Sequence, residues 1–333
     1  MSVFTPVSKQ QLIDHLHQYY TIGELIDYEG ITAGVENTNY FVSTNQGEFV
    51  LTLFEAHSVE KLSFYLGLMT HLGEANIPSI QAIPSKYDTL LHELNGKPAS
   101  FIKRIAGVNP VKINQSHCTQ IGEMLARFHI AAQYYPQQME NEFDLAWQKT
   151  TVESWVDKIP ADDAALLQSE LAHQFNHQAQ TNTLPSGIIH GDLFRDNSLF
   201  NADKLSAILD LYTACNDTLL IDLAIVINDW CFNEGKLEGT LVDTFVGTLD
   251  EALASRVIAA YQSIRPLEDS EKESFNDILR ASALRFWILR LDLKYNPRQP
   301  ETSPNAYSPD EYKQKLLKHI NDKDQIMRLL NDV

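Results

Sequence analysis

Basic residues are scarce in this sequence: 26 Lys and Arg stand against 44 Asp and Glu, a formal net charge of −18. A surface that grips duplex nucleic acid clusters Lys and Arg against phosphates, so this balance argues against such a partner. Cysteine is scarcer still. Cys118, Cys215 and Cys231 are odd in number, widely spaced and without a C-x-x-C, which argues against a disulfide framework or a zinc ribbon and leaves buried free thiols. No apolar run approaches the roughly 20 residues of a membrane span. The opening MSVFTPVSKQQLIDHL lacks a basic stretch leading into an apolar one, so neither a membrane anchor nor a secretory signal is expected, and the expected location is the cytoplasm. A glycine-rich G-x-G-x-x-G is missing as well.

What remains is a chain of 333 residues, 44% hydrophobic and 10% aromatic, enough to bury two lobes and too apolar for a disordered acidic protein. Such an acidic chain can work on nucleotides only if a divalent cation supplies local positive charge. The same acidity suits a cationic or zwitterionic substrate.

Periodicity divides the chain. Ser8-Lys9-Gln10-Gln11 has capping-box spacing and opens a helix carrying Leu12, Leu16 and Tyr19. Residues 39–44 and 48–54 alternate around Asn45-Gln46-Gly47, the pattern of a hairpin. Residues 60–75 place Leu62, Leu66, Met69 and Leu72 at helical spacing, and 89–94 and 99–105 read as two more strands. From Val108 helices dominate: Ile121, Met124, Leu125 and Phe128 form a stripe, 219–227 is apolar all round, and 282–293 is strongly helical. Residues 296–310 read as a loop, and Glu268 to Glu273 as a solvated charged face. The expected plan is α+β and bilobal, with a small β-rich lobe over 1–106 and a larger helical lobe over 107–333, and a cleft between them.

The chemistry concentrates in Ile188-Ile189-His190-Gly191-Asp192-Leu193-Phe194-Arg195-Asp196-Asn197-Ser198-Leu199-Phe200, a polar centre between apolar flanks containing H-x-D-x-x-x-x-N. A second carboxylate, Asp210, ends another apolar strand eighteen residues after Asp192. Phosphoryl transfer needs oxygen ligands for Mg²⁺ and a separate carboxylate to accept the proton of the attacking hydroxyl. In the protein-kinase order of these groups, Asp192 is the base, with His190 beside it in the catalytic segment, and Asn197 and Asp210 are the metal ligands. ATP and Mg²⁺ are therefore the expected cofactors.

The stretches HGDLFRDN, ILDLYTACNDTLLIDLAIVINDWCF, GVENTNYFVSTNQGEFVLTLFE, FYLGLMTHL and ALRFWILRL resemble the aminoglycoside-phosphotransferase-like kinase superfamily, which includes choline kinases, and most of all its homoserine kinase branch. The resemblance runs through nearly the whole chain and implies a protein-kinase-like fold. The implied reaction is phosphorylation of L-homoserine by ATP, a step of threonine biosynthesis. It also implies that Asp222 braces the catalytic loop from a buried helix.

The N-terminal lobe departs from the wider pattern. Thr52 stands where a strand Lys is expected, and Phe64 or Tyr65 where its helix Glu would be, leaving Lys61 as a candidate to meet phosphate. Gly34-Val35-Glu36-Asn37-Thr38-Asn39 holds one glycine. Gly34, Asn37, Thr38, Asn39 and Thr52 are the ATP-side candidates. A substrate carboxylate calls for an Arg, and Arg285, Arg290 and Arg195 are candidates, with Arg285 first. Trp230 is a candidate wall of the substrate site, or core. His173 and His177 form an i,i+4 pair with no H-E-x-x-H and no third ligand in view, and read as surface histidines. Competing readings are a kinase for choline, an aminoglycoside or a methylthio-sugar, and a non-catalytic nucleotide-binding pseudokinase. The oligomeric state is not legible in the sequence.

Overall fold

The structure is a computed structural model, and it describes residues 3–31, 37–233, 247–296 and 308–330. Gly34 and most of the stretch read as a loop over 296–310 lie outside the described residues.

Helix α1 (Lys9–Tyr19) starts at Ser8 with both halves of the capping box formed. Five antiparallel strands follow: β1 (Leu25–Gly30), β2 (Thr38–Thr44), β3 (Gly47–Leu53), then β4 (His92–Leu94) and β5 (Lys97–Lys103), in the order β1-β2-β3-β5-β4. The β2–β3 turn falls at the expected Asn45-Gln46, and β2 alternates buried and half-exposed residues as a one-sided sheet requires. Helix α2 (Val59–Glu74) buries Leu62, Leu66, Met69 and Leu72 along one face.

The connector turns at Gly107, whose φ of +155° and position leave no room for a side chain: a Cβ would meet Ser206 Oγ at 2.8 Å and Leu199 Cβ at 2.9 Å. Beyond it come α3 (Gln115–Ala132), α4 (Leu145–Glu153) and α5 (Ala161–Thr181). Next are the antiparallel pairs of β6 (Ser186–Ile189) with β9 (Cys215–Thr218), and of β7 (Ser198–Asn201) with β8 (Lys204–Ile208). Helix α6 (Leu219–Trp230) has every residue buried: nine are apolar, as a central helix requires, and the three polar ones, Asp222, Asn228 and Asp229, are buried with them. The short pair β10 (Phe232–Asn233) and β11 (Thr248–Leu249) precedes α7 (Glu251–Gln262), α8 (Asp269–Tyr295), α9 (Pro309–Asn321) and α10 (Lys323–Arg328). No helix among the described residues is long and apolar enough to cross a membrane.

Three core clusters hold the described residues together: one unites α1 with the five-stranded sheet, a second spreads from α2 through α3, α6 and α7, and a third joins α4, α5, α8 and α9. In the segment 268–273, Glu268, Asp269 and Glu273 are exposed as a charged face requires, but Glu271 is not. Glu271 is fully buried, takes two hydrogen bonds from Arg265 (3.0 and 3.2 Å) and accepts from the Glu268 backbone N–H. A buried carboxylate needs such partners, and sequence pattern alone did not display them.

Candidate active site

The catalytic segment bridges β6 and β7, as its apolar flanks predict. Asp222, fully buried in the first turn of α6, accepts from the N–H of His190 (2.6 Å) and of Gly191 (2.8 Å) and from His129 Nε2 (3.1 Å). Burial alone would raise its pKa, but the hydrogen bond and charge of His129 win and hold it below the ordinary value. Behind it, Arg265 donates to the Tyr261 hydroxyl (3.2 Å), whose oxygen stands 2.7 Å from His129 Nδ1. Gly191 carries φ of +79°, and a Cβ there would stand 2.9 Å from the Thr213 carbonyl oxygen, so glycine is required.

His190 is fully buried, so it positions the reacting groups and does not touch them. Its Nε2 donates to the Leu209 carbonyl (2.8 Å), which leaves Nδ1 to accept from the Asp192 N–H (3.3 Å). One imidazole thereby ties Asp192 to the residue before Asp210. It has to be neutral to do so, and burial lowers its pKa against the opposing charge of Asp222. Asn197 donates its amide to the Asp192 carbonyl (2.7 Å) and carboxylate (3.1 Å), turning its Oδ1 over to other partners, while its own carbonyl accepts from Leu209 N–H (2.9 Å). Asp210 is exposed in the left-handed region, φ 53°. Burial, then the charge of Asp210, pushes the Asp192 carboxyl well above its ordinary pKa, with Arg285 working against them. Two carboxylates that repel each other beside an amide oxygen form the donor set that a hard divalent cation takes.

The nucleotide-side candidates form a polar cluster at the ends of β2 and β3. Thr52 sits opposite Asn39 and donates to its Oδ1 (2.7 Å), a neutral pair at the position expected for a strand Lys. Thr38 is fully buried, accepts from the N–H of Phe4 and Thr5 and donates to Glu55 (2.8 Å), which pairs with Lys97. Asn37 accepts from the Glu55 N–H (3.3 Å). On α2, Tyr65 meets Tyr212 edge-on at 5.9 Å, and Tyr212 follows Asp210 by two residues. Lys61 is paired with Glu142 at 2.6 Å.

The three arginine candidates separate. Arg195 pairs with Asp229 (Nε 3.3 Å), and Arg290 with Glu311 (2.6 Å). Arg285 is 3% exposed, donates through Nη2 to the Gly191 carbonyl (3.1 Å), and finds no hydrogen-bond partner for Nε or Nη1 among the described residues. Phe143 and Phe286 lie against its guanidinium at 5.1 and 5.3 Å. It lines a cavity of about 440 Å³ whose walls include Asn141, Gln174, Asp217 and Ile278. Asp217 accepts from Asn141 Nδ2 and the Thr218 N–H, both at 2.6 Å. Sequence reasoning missed His129, Tyr261, Asn141 and Asp217, which carry no motif. Trp230 does not wall the site. It is 1% exposed and its indole N–H donates to the Leu193 carbonyl (3.1 Å), because an indole buried in this core needs an acceptor and the catalytic loop offers one.

Known proteins resemble this chain in sequence and in fold over most of its length. The phosphotransferase enzyme (APH) family model matches residues 27–269. The homoserine kinase of Methylobacillus flagellatus is 40% identical over 328 residues, 98% of each chain. Among solved structures, an amicoumacin kinase in complex with AMP-PNP, Ca²⁺ and amicoumacin superposes with a TM-score of 0.68 at 14% identity, over 96% of this chain and 94% of that one. The choline kinase of Cryptosporidium parvum gives 0.66 at 13% identity over 98% and 99%. Both share the fold, a β-sheet region followed by a helical part in the protein-kinase-like arrangement.

Proposed function

The chain belongs to the phosphotransferase enzyme family, and we propose that it transfers the γ-phosphoryl group of ATP to the side-chain hydroxyl of L-homoserine, giving O-phospho-L-homoserine for threonine biosynthesis in the cytoplasm. Curated homoserine kinases 37–40% identical over 90% or more of the chain support the acceptor. The observation that carries it is Arg285. A buried guanidinium with two unpaired donors is costly to keep, and a ligand carboxylate relieves that cost through two charge-assisted bonds. Asp217, on the wall of the same cavity, supplies negative charge for the α-ammonium. A carboxylate at Arg285 stands next to the loop that bears Asp192, which suits a short amino acid with a terminal hydroxyl.

In this reading Asp192 orients that hydroxyl and accepts its proton, and its raised pKa brings the base toward the working pH. Asn197 and Asp210 are the residues that would hold Mg²⁺, which supplies the charge neutralisation that phosphoryl transfer requires. His190 and Asp222 keep the loop in place. The nucleotide belongs to the 1–106 lobe, with Asn37, Asn39 and Thr52 near its phosphates, and the substrate to the 107–333 lobe. Choline or an aminoglycoside would leave Arg285 unpaired.

The test is steady-state kinetics with homoserine, homoserine methyl ester, choline and an aminoglycoside under ATP and Mg²⁺. The expected result is homoserine first, with the ester poorer on the order of 10³-fold because its site keeps a buried unpaired charge. A higher kcat/KM for choline than for homoserine would overturn the assignment.

A further inference from the structure

On the two helices α5 and α8, which both contribute to the lining of that cavity, His173 and His177 of α5 face Asp277 of α8. One nitrogen from each imidazole and one Asp277 carboxylate oxygen all lie within 4.8 Å of one another. We propose that these three side chains form a site for a divalent transition metal of the zinc type, fastening α5 to α8. The sequence shows the two histidines one helical turn apart but hides the third ligand, which lies 100 residues on from His177.

Four features support a metal over a simple helix–helix hydrogen bond. First, His173 Nε2 already stands 2.9 Å from Asp277 Oδ1, so one His would suffice for a bond, yet a second ring lies against the first, tilted by 36° at 4.2 Å between centroids. Second, His177 donates Nδ1–H to the His173 carbonyl (2.8 Å), which leaves Nε2 as the lone-pair nitrogen, the tautomer a metal ligand needs.

Third, the local charge is right. Arg280 is engaged by Glu170 through Nε (3.1 Å) and Nη2 (2.5 Å) and reaches Asp277 only at 3.9 Å. Glu170, Arg280 and Asp277 therefore leave one negative charge beside two neutral imidazoles. Fourth, Asp277 is only 8% exposed, and Gln174 donates to both Glu170 and the Asp277 backbone carbonyl, so the backbone that carries the carboxylate is tied to α5.

Imidazole nitrogens exclude Mg²⁺ as the preferred occupant and suit Zn²⁺. Zinc bonds of about 2.0–2.1 Å set tetrahedral ligands about 3.3 Å apart, so the three groups close on the ion by small rotations, with water in the fourth position. Gln174 and Gln178 of α5 and Ile278 and Ala281 of α8 line the substrate cavity, so the ion would clamp two of its walls together. The site is independent of the proposed reaction and of its Mg²⁺ ligands.

The experiment is calorimetric titration of Zn²⁺ into the full chain, freed of metal with a chelator and held in excess Mg²⁺, with Co²⁺ absorption as a second probe. Wild type is expected to bind one equivalent with a rise in Tm, and to give the visible bands of tetrahedral Co²⁺. His177→Ala and Asp277→Asn should each weaken binding by more than the about 10–100-fold that even an outer-shell partner is worth. Their homoserine turnover in Mg²⁺ alone should match wild type. His177→Gln serves if the alanine variant fails to fold. No Zn²⁺ equivalent in wild type, or unchanged affinity and Co²⁺ bands in the variants, overturns the site.

Discussion

The catalytic loop and the cavity behind it treat buried charge in opposite ways. In the loop, Asp222 is surrounded by three donors, and His190 and Asn197 spend their polar atoms on the backbone around Asp192 and Asp210. In the cavity, Arg285 is equally buried, but two of its nitrogens have no partner. The loop is preorganised by the protein, so its geometry is ready before any substrate arrives. The cavity is completed by its ligand, so its unmet bonds become selectivity. The predictions below set these two kinds of charge against each other.

Replacing the base gives the largest effect. Asp192→Asn should lower kcat by about 10²–10⁴-fold, the usual worth of a general base, and leave ATP binding intact. The same change should raise the Tm of the ligand-free protein. The folded-state pKa of this carboxyl is raised, so its charged form is disfavoured by folding. Stability from this group is full below the unfolded pKa of about 3.8 and is lost as pH rises through the folded value; at neutral pH asparagine avoids that loss. Near-wild-type turnover, or a lowered Tm, contradicts this account.

Removing buried charge should then have opposite signs in the two regions. Asp222→Ala strands two loop N–H groups and His129, and should cost about 3–5 kcal/mol in a denaturant titration. Arg285→Met removes a guanidinium that lacks partners, losing one bond to the Gly191 carbonyl, so stability should stay within about 1 kcal/mol of wild type. Its kinetic effect is the sharper one. KM for homoserine should rise far more than KM for ATP, and the preference for acid over methyl ester should vanish. If Arg285→Met destabilises as much as Asp222→Ala, the arginine is structural and the contrast fails.

The sequence disclosed the loop better than the cavity, for a physical reason. His190, Asp192 and Asn197 fall within eight residues between apolar flanks, so strand periodicity and motif spacing place them together. The group of His129, Tyr261 and Arg265 behind Asp222 spans more than 130 residues, two of them in helix stripes like any other and Arg265 in the turn after α7. In sequence, Arg285 comes first among the three arginines only through the stretch that resembles the family; their partners in space tell them apart physically. Trp230 stays open in sequence between substrate wall and core, and Glu271 is expected on a solvated face, on the same ground. Aromatic and acidic residues look exposed or functional until the buried groups that satisfy them are seen.

The smallest effect separates the regions by pH. An arginine stays charged throughout, whereas the helical core relies on imidazoles that must stay neutral. His319 of α9 is fully buried, with Nε2 2.6 Å from Asn228 Oδ1 of α6 and Nδ1 unpartnered. Burial lowers its pKa to about 3, helped by the charges of Lys315, Arg280 and Lys318 and opposed by Asp322. Its unfolded pKa is about 6.5, so its contribution is full above that value and is lost as pH falls toward the folded one. The loss is about 2 kcal/mol by pH 5, the cost of keeping neutral a ring that protonates when the chain unfolds. His319→Gln can keep a donor for Asn228 without titrating. Denaturant titrations of both proteins at pH 7 and pH 5 should therefore show wild type losing about 2 kcal/mol more than the variant over that interval. Arg285→Met should follow wild type, because its removed charge does not titrate there. Equal losses in wild type and His319→Gln would mean that the acid sensitivity lies in other groups, His190 first among them.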